Sequence, residues 1–287
     1  MNQILISLIK TAISRLKEGP FQEFINFLYI KKYMDDFVPV RNKRDKGSDG
    51  ILFNETIIAV YAPEAYSLKA LKKKTKNDHD SYVTNWKATH PKWSFILNGE
   101  FTSEAIQFID SLNPDTEKLD INHIIDLIKS LQWGQLREVL QFLGVDEQFF
   151  INDVLHVVID DLLKETDGDS EGIKHEAPAY MPDKIKLNYS PDDVDSAINE
   201  YQESLPILAR LKEILKSYRD EEISAIKQKV ISGYTALSGN FKDRLNALNQ
   251  SLAGKNNRDD IYLLYVRVVL IHIFEACLIG KKVESEP

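Results

Sequence analysis

The feature that most constrains the fold is a change in residue patterning close to residue 100 of this 287-residue chain. Before that point, short runs of β-branched and aromatic residues alternate with helical periodicity, in the order helix, strand, strand, strand, helix, strand. From Thr102 onward, apolar residues recur almost everywhere at the spacing of amphipathic helices. The pattern predicts an α+β fold, in which an α/β domain precedes an all-helical region.

Four segments are expected from this patterning together with the local composition. They are an α/β domain at 1–101, a helical middle segment at 102–164, an acidic linker at 165–183 and a helical domain at 184–287. The linker is predicted because that segment combines carboxylates with Gly and Pro.

The most apolar stretch of the chain, Ile261 to Ile279, contains three ionisable residues, Arg267, His272 and Glu275. Such a short segment with three ionisable groups favours a buried helix over a membrane-spanning one. The single cysteine, Cys277, excludes an intrachain disulfide and a cysteine-based zinc site. A reducing, cytoplasmic location is therefore expected.

The net charge of −8 is unevenly distributed along the chain. Residues 1–92 contain 16 basic and 10 acidic side chains, whereas the remainder contains 20 basic and 34 acidic ones. A basic first third could bind DNA, and an acidic remainder could bind a protein. The alternative is that the lysines form an ordinary solvated loop or helix face. The candidate DNA contacts are Lys43, Arg44, Lys72, Lys73, Lys74 and Lys76.

Asp49 is the strongest candidate for chemistry, because it follows a glycine turn and begins the second predicted strand. Ten residues later lies Ala59, at the centre of the next strand. This is the spacing of metal-dependent nucleases of the PD-(D/E)xK type. These nucleases need an Asp on one strand and, on the next, an Asp, Glu or Gln two positions before a Lys. The carboxylates hold Mg²⁺, which polarises a phosphate and activates a water.

The second half of that motif is incomplete in this chain. The acidic position falls on Ala59 and the lysine position on Tyr61. Glu55 and Glu64 flank the strand and could substitute only if its register shifted. From the residues alone, a plain hairpin with an aspartate in its turn stays the default interpretation.

A wider pattern resembles the nuclease-like N-terminal domain of bacterial defence proteins from ABC-three-component and Lamassu-type systems. Four motifs in the first third carry the resemblance: GPFQEF (19–24), DFVPVR (36–41), GSDGIL (47–52) and VYAPE (60–64). Later matches follow in the same order: HPKWSFILN (90–98), PDKIKLNYSPDDV (182–194) and HIFEACLIG (272–280).

The resemblance implies a restriction-endonuclease-like domain in a DNA-targeting effector subunit of an anti-phage or anti-plasmid complex. It implies Mg²⁺ as cofactor, and an SMC-like ABC ATPase and a small accessory subunit as partners. It assigns Asp49 as a metal ligand and Glu23 or Gln22 as a further ligand from the helix that precedes the first strand. Tyr61 falls at the position where the family usually has a lysine. Family members often have a polar ligand where this chain has Ala59. The alternative is therefore a catalytically inactive nuclease-fold subunit that serves DNA binding and complex assembly.

Overall fold

The computed structural model of the protein describes residues 1–40, 47–164, 180–257 and 259–281. The chain forms two compact units, unit 1 (Met1–Glu147) and unit 2 (Gln148–Pro287). Helices and a mixed sheet make up unit 1, and the described residues of unit 2 are helical. The predicted α+β class is confirmed at this level.

Unit 1 contains five strands and six helices in its described residues. These are α1 (Gln3–Arg15), α2 (Glu18–Tyr33), β1 (Phe37–Pro39), β2 (Gly50–Leu52), β3 (Thr56–Tyr61), α3 (Leu68–Asn85), β4 (Lys92–Leu97), α4 (Ser103–Leu112), β5 (Glu117–Leu119), α5 (Ile121–Lys129) and α6 (Trp133–Phe142).

The strands lie in the order β1-β2-β3-β4-β5. The first three form an antiparallel meander, and β4 and β5 add parallel strands. Helix α3 is the crossover that a parallel β3–β4 pair requires. Phe53 and Asn54 both have positive φ in the β2–β3 hairpin, which is typical of a tight hairpin turn.

Alternation along the strands gives the sheet two different faces. On the first face, Ile57 and Ala59 pack with Trp93 and Phe95 of β4 and with Tyr82 of α3. On the second face, the strand residues that alternate with these, such as Leu52, lie beside residues of α2 and α5. The nuclease-type motif residues of β3 belong to the first face.

The predicted domain boundary at residue 101 does not separate the two units. Strand β5, at 117–119, pairs with β4 and extends the sheet beyond that boundary. The compact unit continues to Glu147. A three-residue strand is too short to leave a periodic signal, so the sequence indicated only helices in this region.

Unit 2 is built from six helices in its described residues. These are α7 (Glu147–Leu163), whose first residue closes unit 1, α8 (Met181–Asn188), α9 (Val194–Leu215), α10 (Asp220–Ala236), α11 (Phe241–Ala253) and α12 (Asp260–Glu275). Most of the predicted linker, 165–179, lies outside the described residues, and α8 begins within its last three positions.

Helix α12 lies at the centre of unit 2 and confirms the prediction of a buried apolar helix. Its Arg267 is 8% exposed, and its guanidinium donates to both carboxylate oxygens of Glu200 at 2.7 and 3.1 Å. Pairing of this kind offsets the cost of burying a charge. None of the helices in the described ranges has the length and hydropathy needed to cross a membrane.

Candidate functional site

Asp49 lies immediately before β2, and its side chain is fastened to β3. The Val60 N–H donates to its Oδ2 at 2.6 Å, and its own N–H donates to the Ile58 carbonyl at 2.7 Å. The flanking glycines allow this turn. Gly47 has φ +76°, and a Cβ on Gly50 would lie 2.4 Å from the Phe37 ring. The short turn is therefore shaped to place this carboxylate against the third strand.

Ala59 lies in β3 between the two residues that hydrogen-bond to Asp49. Asp49 lies outside the paired residues of β2, and it hydrogen-bonds to Ile58 and Val60, the residues that precede and follow Ala59. Ala59 is only 1% exposed and packs in an apolar cluster with Trp93 and Phe95. The position where a nuclease would carry its second ligand is filled by a methyl group among aromatic rings.

Tyr61, in the usual lysine position, is half-buried on the same face of the sheet. Its ring lies 6.3 Å from that of Phe95. Burial raises the pKa of Tyr61, and the charge of Lys74 partly opposes that rise. Lys74 itself donates to both oxygens of Asp78, at 2.6 and 2.7 Å. The lysine that acts on Tyr61 is thus held in an ion pair within α3.

Gln22 and Glu23 are not brought together with Asp49 on one face. Both belong to α2, the helix that covers the second face of the sheet, whereas Ala59 points to the first. Glu23 is exposed and Gln22 half-buried.

The Mg²⁺ that the resemblance implies does not fit the described residues. Mg²⁺ in such sites is bound by one or two carboxylates together with waters and phosphate oxygens. One Asp49 oxygen already accepts a backbone N–H, and the neighbouring position is Ala59. In the ranges that the structure describes, no three His, Cys, Asp or Glu side chains are grouped to hold a metal ion.

The lysines of α3 give this part of unit 1 a local positive charge. The helix carries five lysines against two aspartates. Lys74 and Lys76 form ion pairs with Asp78 and Asp80, and the Lys72 ammonium lies over the Phe108 ring at 5.6 Å. Lys43 and Arg44 lie outside the described residues.

Lys69 and Lys73 are the exposed lysines of α3 that form no ion pair with any described residue. Together with Lys76, whose side chain is 58% exposed, they are spaced at i, i+4 and i+7 and share one helix face. We call these three residues the lysine stripe. Lys69 was missed from the sequence, although helical periodicity alone places it beside Lys73.

His79 lies between two aspartates, Asp78 and Asp80, a polar sequence that favours a solvated position, but the residue is buried. The residue is 9% exposed, and its ring lies 5.2 Å from that of Trp93. Burial lowers the pKa of His79, so the neutral imidazole is favoured. The helical spacing of Leu71, Thr75 and Tyr82, all buried, is the signal that identifies this inward face.

Comparison of the chain with family models, with curated proteins and with solved structures gives no match.

Replacement of Asp49 by alanine tests the structural role of its carboxylate. We expect Asp49→Ala to lower the free energy of unfolding by about 1–2 kcal/mol, because the Val60 N–H loses its acceptor. Asp49→Asn keeps an acceptor oxygen and should cost less than half as much. Urea unfolding in EDTA measures both. An unchanged or increased free energy of unfolding for Asp49→Ala would show that the hydrogen bond to the Asp49 carboxylate does not stabilise the fold.

Proposed function

We propose that unit 1 is a DNA-binding module of restriction-endonuclease-like fold whose metal-dependent site has been lost. The observation that carries this proposal is that Asp49 hydrogen-bonds to Ile58 and Val60, the residues on either side of the buried Ala59 in β3. An aspartate immediately precedes β2, as in the nuclease pattern, whereas the residue at the expected ligand position, Ala59, belongs to the apolar cluster.

DNA binding is proposed through the lysine stripe of α3. Exposed lysines gain affinity for duplex DNA by neutralising phosphates and releasing counterions, whatever the sequence of the bases. Lys69 and Lys73 have no acidic partner among the described residues that a phosphate would have to displace. Lys76 would have to leave Asp80, its partner at 2.8 Å.

The biological setting that we propose is an anti-phage or anti-plasmid defence complex in the cytoplasm. The resemblance supports it, because the quoted motifs span both units in the family's order. In such a complex this chain would be the DNA-targeting effector subunit. The SMC-like ABC ATPase and the small accessory subunit would bind mainly to unit 2, which contains two of the matching motifs.

The second candidate is a Mg²⁺-dependent endonuclease, and the position of Asp49 favours it. Asp49 immediately precedes β2, and its carboxylate accepts a hydrogen bond from the Val60 N–H of β3. The catalytic pattern requires an aspartate in this part of the sheet. This candidate needs oxygen ligands from elsewhere, because Ala59 cannot supply one. We therefore rank it below the DNA-binding module.

A plasmid assay separates the two candidates. The whole chain is titrated against supercoiled plasmid with 10 mM Mg²⁺ or Mn²⁺, with and without its proposed partner subunits. The binding module predicts retarded plasmid that is still supercoiled once the protein is digested. Nicked or linear plasmid that disappears with Asp49→Ala would instead establish the endonuclease.

A further inference from the structure

A cavity of about 330 Å³ lies on the second face of the sheet, between α2, α5 and the strands. It belongs entirely to unit 1 and is separated by the sheet from Ala59 and Asp49. A water molecule takes about 30 Å³ in the liquid, so the space equals about eleven waters. This is room for a small organic molecule.

Tyr29 brings a phenol group to this cavity. The residue is 3% exposed and lines the space, and its hydroxyl is not among the buried side-chain atoms that lack a partner in the described residues. Its ring is fixed between those of Tyr33 at 5.3 Å and Phe37 at 5.2 Å. The hydroxyl of this lining residue can donate to or accept from a molecule in the cavity.

Glu117 brings a negative charge to the same cavity. No cationic side chain in the described ranges lies within ion-pair distance of it, and the adjacent Lys118 is paired with Asp110 at 2.6 Å. Burial and then the charge of Glu117 raise the pKa of Tyr33, while for Tyr29 the rise comes from burial, Tyr33 and Glu117 in that order. Both phenols therefore stay protonated around a single unpaired carboxylate.

The other charged groups at the rim are already engaged. The Lys32 ammonium donates to the Ser130 carbonyl at 3.1 Å, and Lys129 pairs with Asp126 at 2.9 Å. His123 lines the cavity with its Nδ1 2.7 Å from an oxygen of Asp120. Glu117, an exposed residue, is thus the lining carboxylate that has no ion-pair partner among the described residues.

We propose that this cavity binds a small organic cation, an alkyl guanidinium or alkylammonium group. The cationic N–H groups would donate to the Glu117 carboxylate and to the phenol oxygens of Tyr29 and Tyr33. The tyrosine rings add an attractive face for the charge. Leu52, Leu119 and Leu127 line the remainder and suit the alkyl stem. This inference does not depend on DNA binding.

The test compares butylguanidinium with butylurea, its neutral counterpart of nearly equal shape, by ligand-observed NMR and calorimetry on the whole chain. We expect saturable binding of butylguanidinium at least tenfold tighter than that of butylurea. Equal binding of the two probes, or no binding of either, would overturn the proposal.

Two substitutions assign any binding to this cavity. Glu117→Gln should weaken butylguanidinium binding about tenfold or more, whereas Glu104→Gln, at an exposed site on α4, should leave it unchanged. Tyr29→Phe should weaken butylguanidinium binding several-fold. The Tm of this variant should not fall below that of the wild type, because the substitution keeps the ring that packs against Tyr33 and Phe37. Unchanged affinity in both cavity variants would place the cation elsewhere and contradict the proposal.

A third probe distinguishes a free small cation from the arginine side chain of a partner protein. The peptide acetyl-Gly-Arg-Gly-amide presents the same guanidinium on a polypeptide. Tighter binding of the peptide than of butylguanidinium would identify a partner's arginine side chain. Tighter binding of butylguanidinium would identify a free small cation.

Discussion

Replacing Ala59 by glutamate is expected to lower the free energy of unfolding by about 3–5 kcal/mol, which is most of the stability of an ordinary domain. The new carboxylate would enter the cluster formed by Trp93 and Phe95, whose members carry no positive charge. The added atoms would also overpack a position that is 1% exposed. Chemical denaturation of the whole chain measures the change.

The matched control is Val38→Glu on β1, where the side chain is 56% exposed. We expect this substitution to change stability by no more than about 0.5 kcal/mol. Added Mg²⁺ should raise the Tm of Ala59→Glu no more than that of the wild type. If Ala59→Glu were as stable as the control and gained stability with Mg²⁺, the position would be an accessible ligand site, and our account of it would fail.

The double variant Lys69→Gln/Lys73→Gln is expected to bind duplex DNA about tenfold to a hundredfold more weakly at 0.1 M salt. Each lost phosphate contact should also reduce the slope of log K against log[salt] by about 0.9, so the pair should reduce it by about 1.8. Fluorescence anisotropy of a labelled duplex over a salt series gives both numbers.

Lys186→Gln/Lys216→Gln is the matched control for charge. These lysines lie in unit 2 and pair with Asp183 and Glu213, and the substitutions change the net charge by the same amount. The control should keep the wild-type slope. Equal losses in the two double variants would show that net charge, and not the lysine stripe, determines binding.

The local elements of unit 1 could be predicted because their signals are local. The β-branched run predicted a strand at Thr56 to Tyr61, which is the observed β3. Asp120 precedes an apolar-periodic run, which is the sequence pattern of a helix N-cap, and its carboxylate accepts from the Asn122 and His123 N–H groups at the start of α5. Capping and periodicity depend on residues a few positions apart, so one sequence is enough to identify them.

The candidate site was predictable only in part, because burial depends on residues far apart in sequence. The spacing brought Asp49 and Ala59 into the same part of the sheet, and the structure places hydrogen bonds between Asp49 and the two neighbours of Ala59, Ile58 and Val60. It did not show that α2 carries Glu23 on the second face of the sheet. The cavity could not be predicted from the sequence either, because Tyr29 and Glu117 are far apart in the chain and come together only through tertiary packing.

The affinity of the wild-type chain for duplex DNA as a function of salt tests the central claim most directly. A 30-base-pair labelled duplex is titrated with the whole chain in EDTA, from 25 to 300 mM salt. Our account predicts metal-independent binding that weakens with salt, with a slope of about −2 to −3 for the two to three phosphates that the lysine stripe can reach. Folded protein that does not bind the duplex at 25 mM salt, or binds it without salt dependence, would contradict the account.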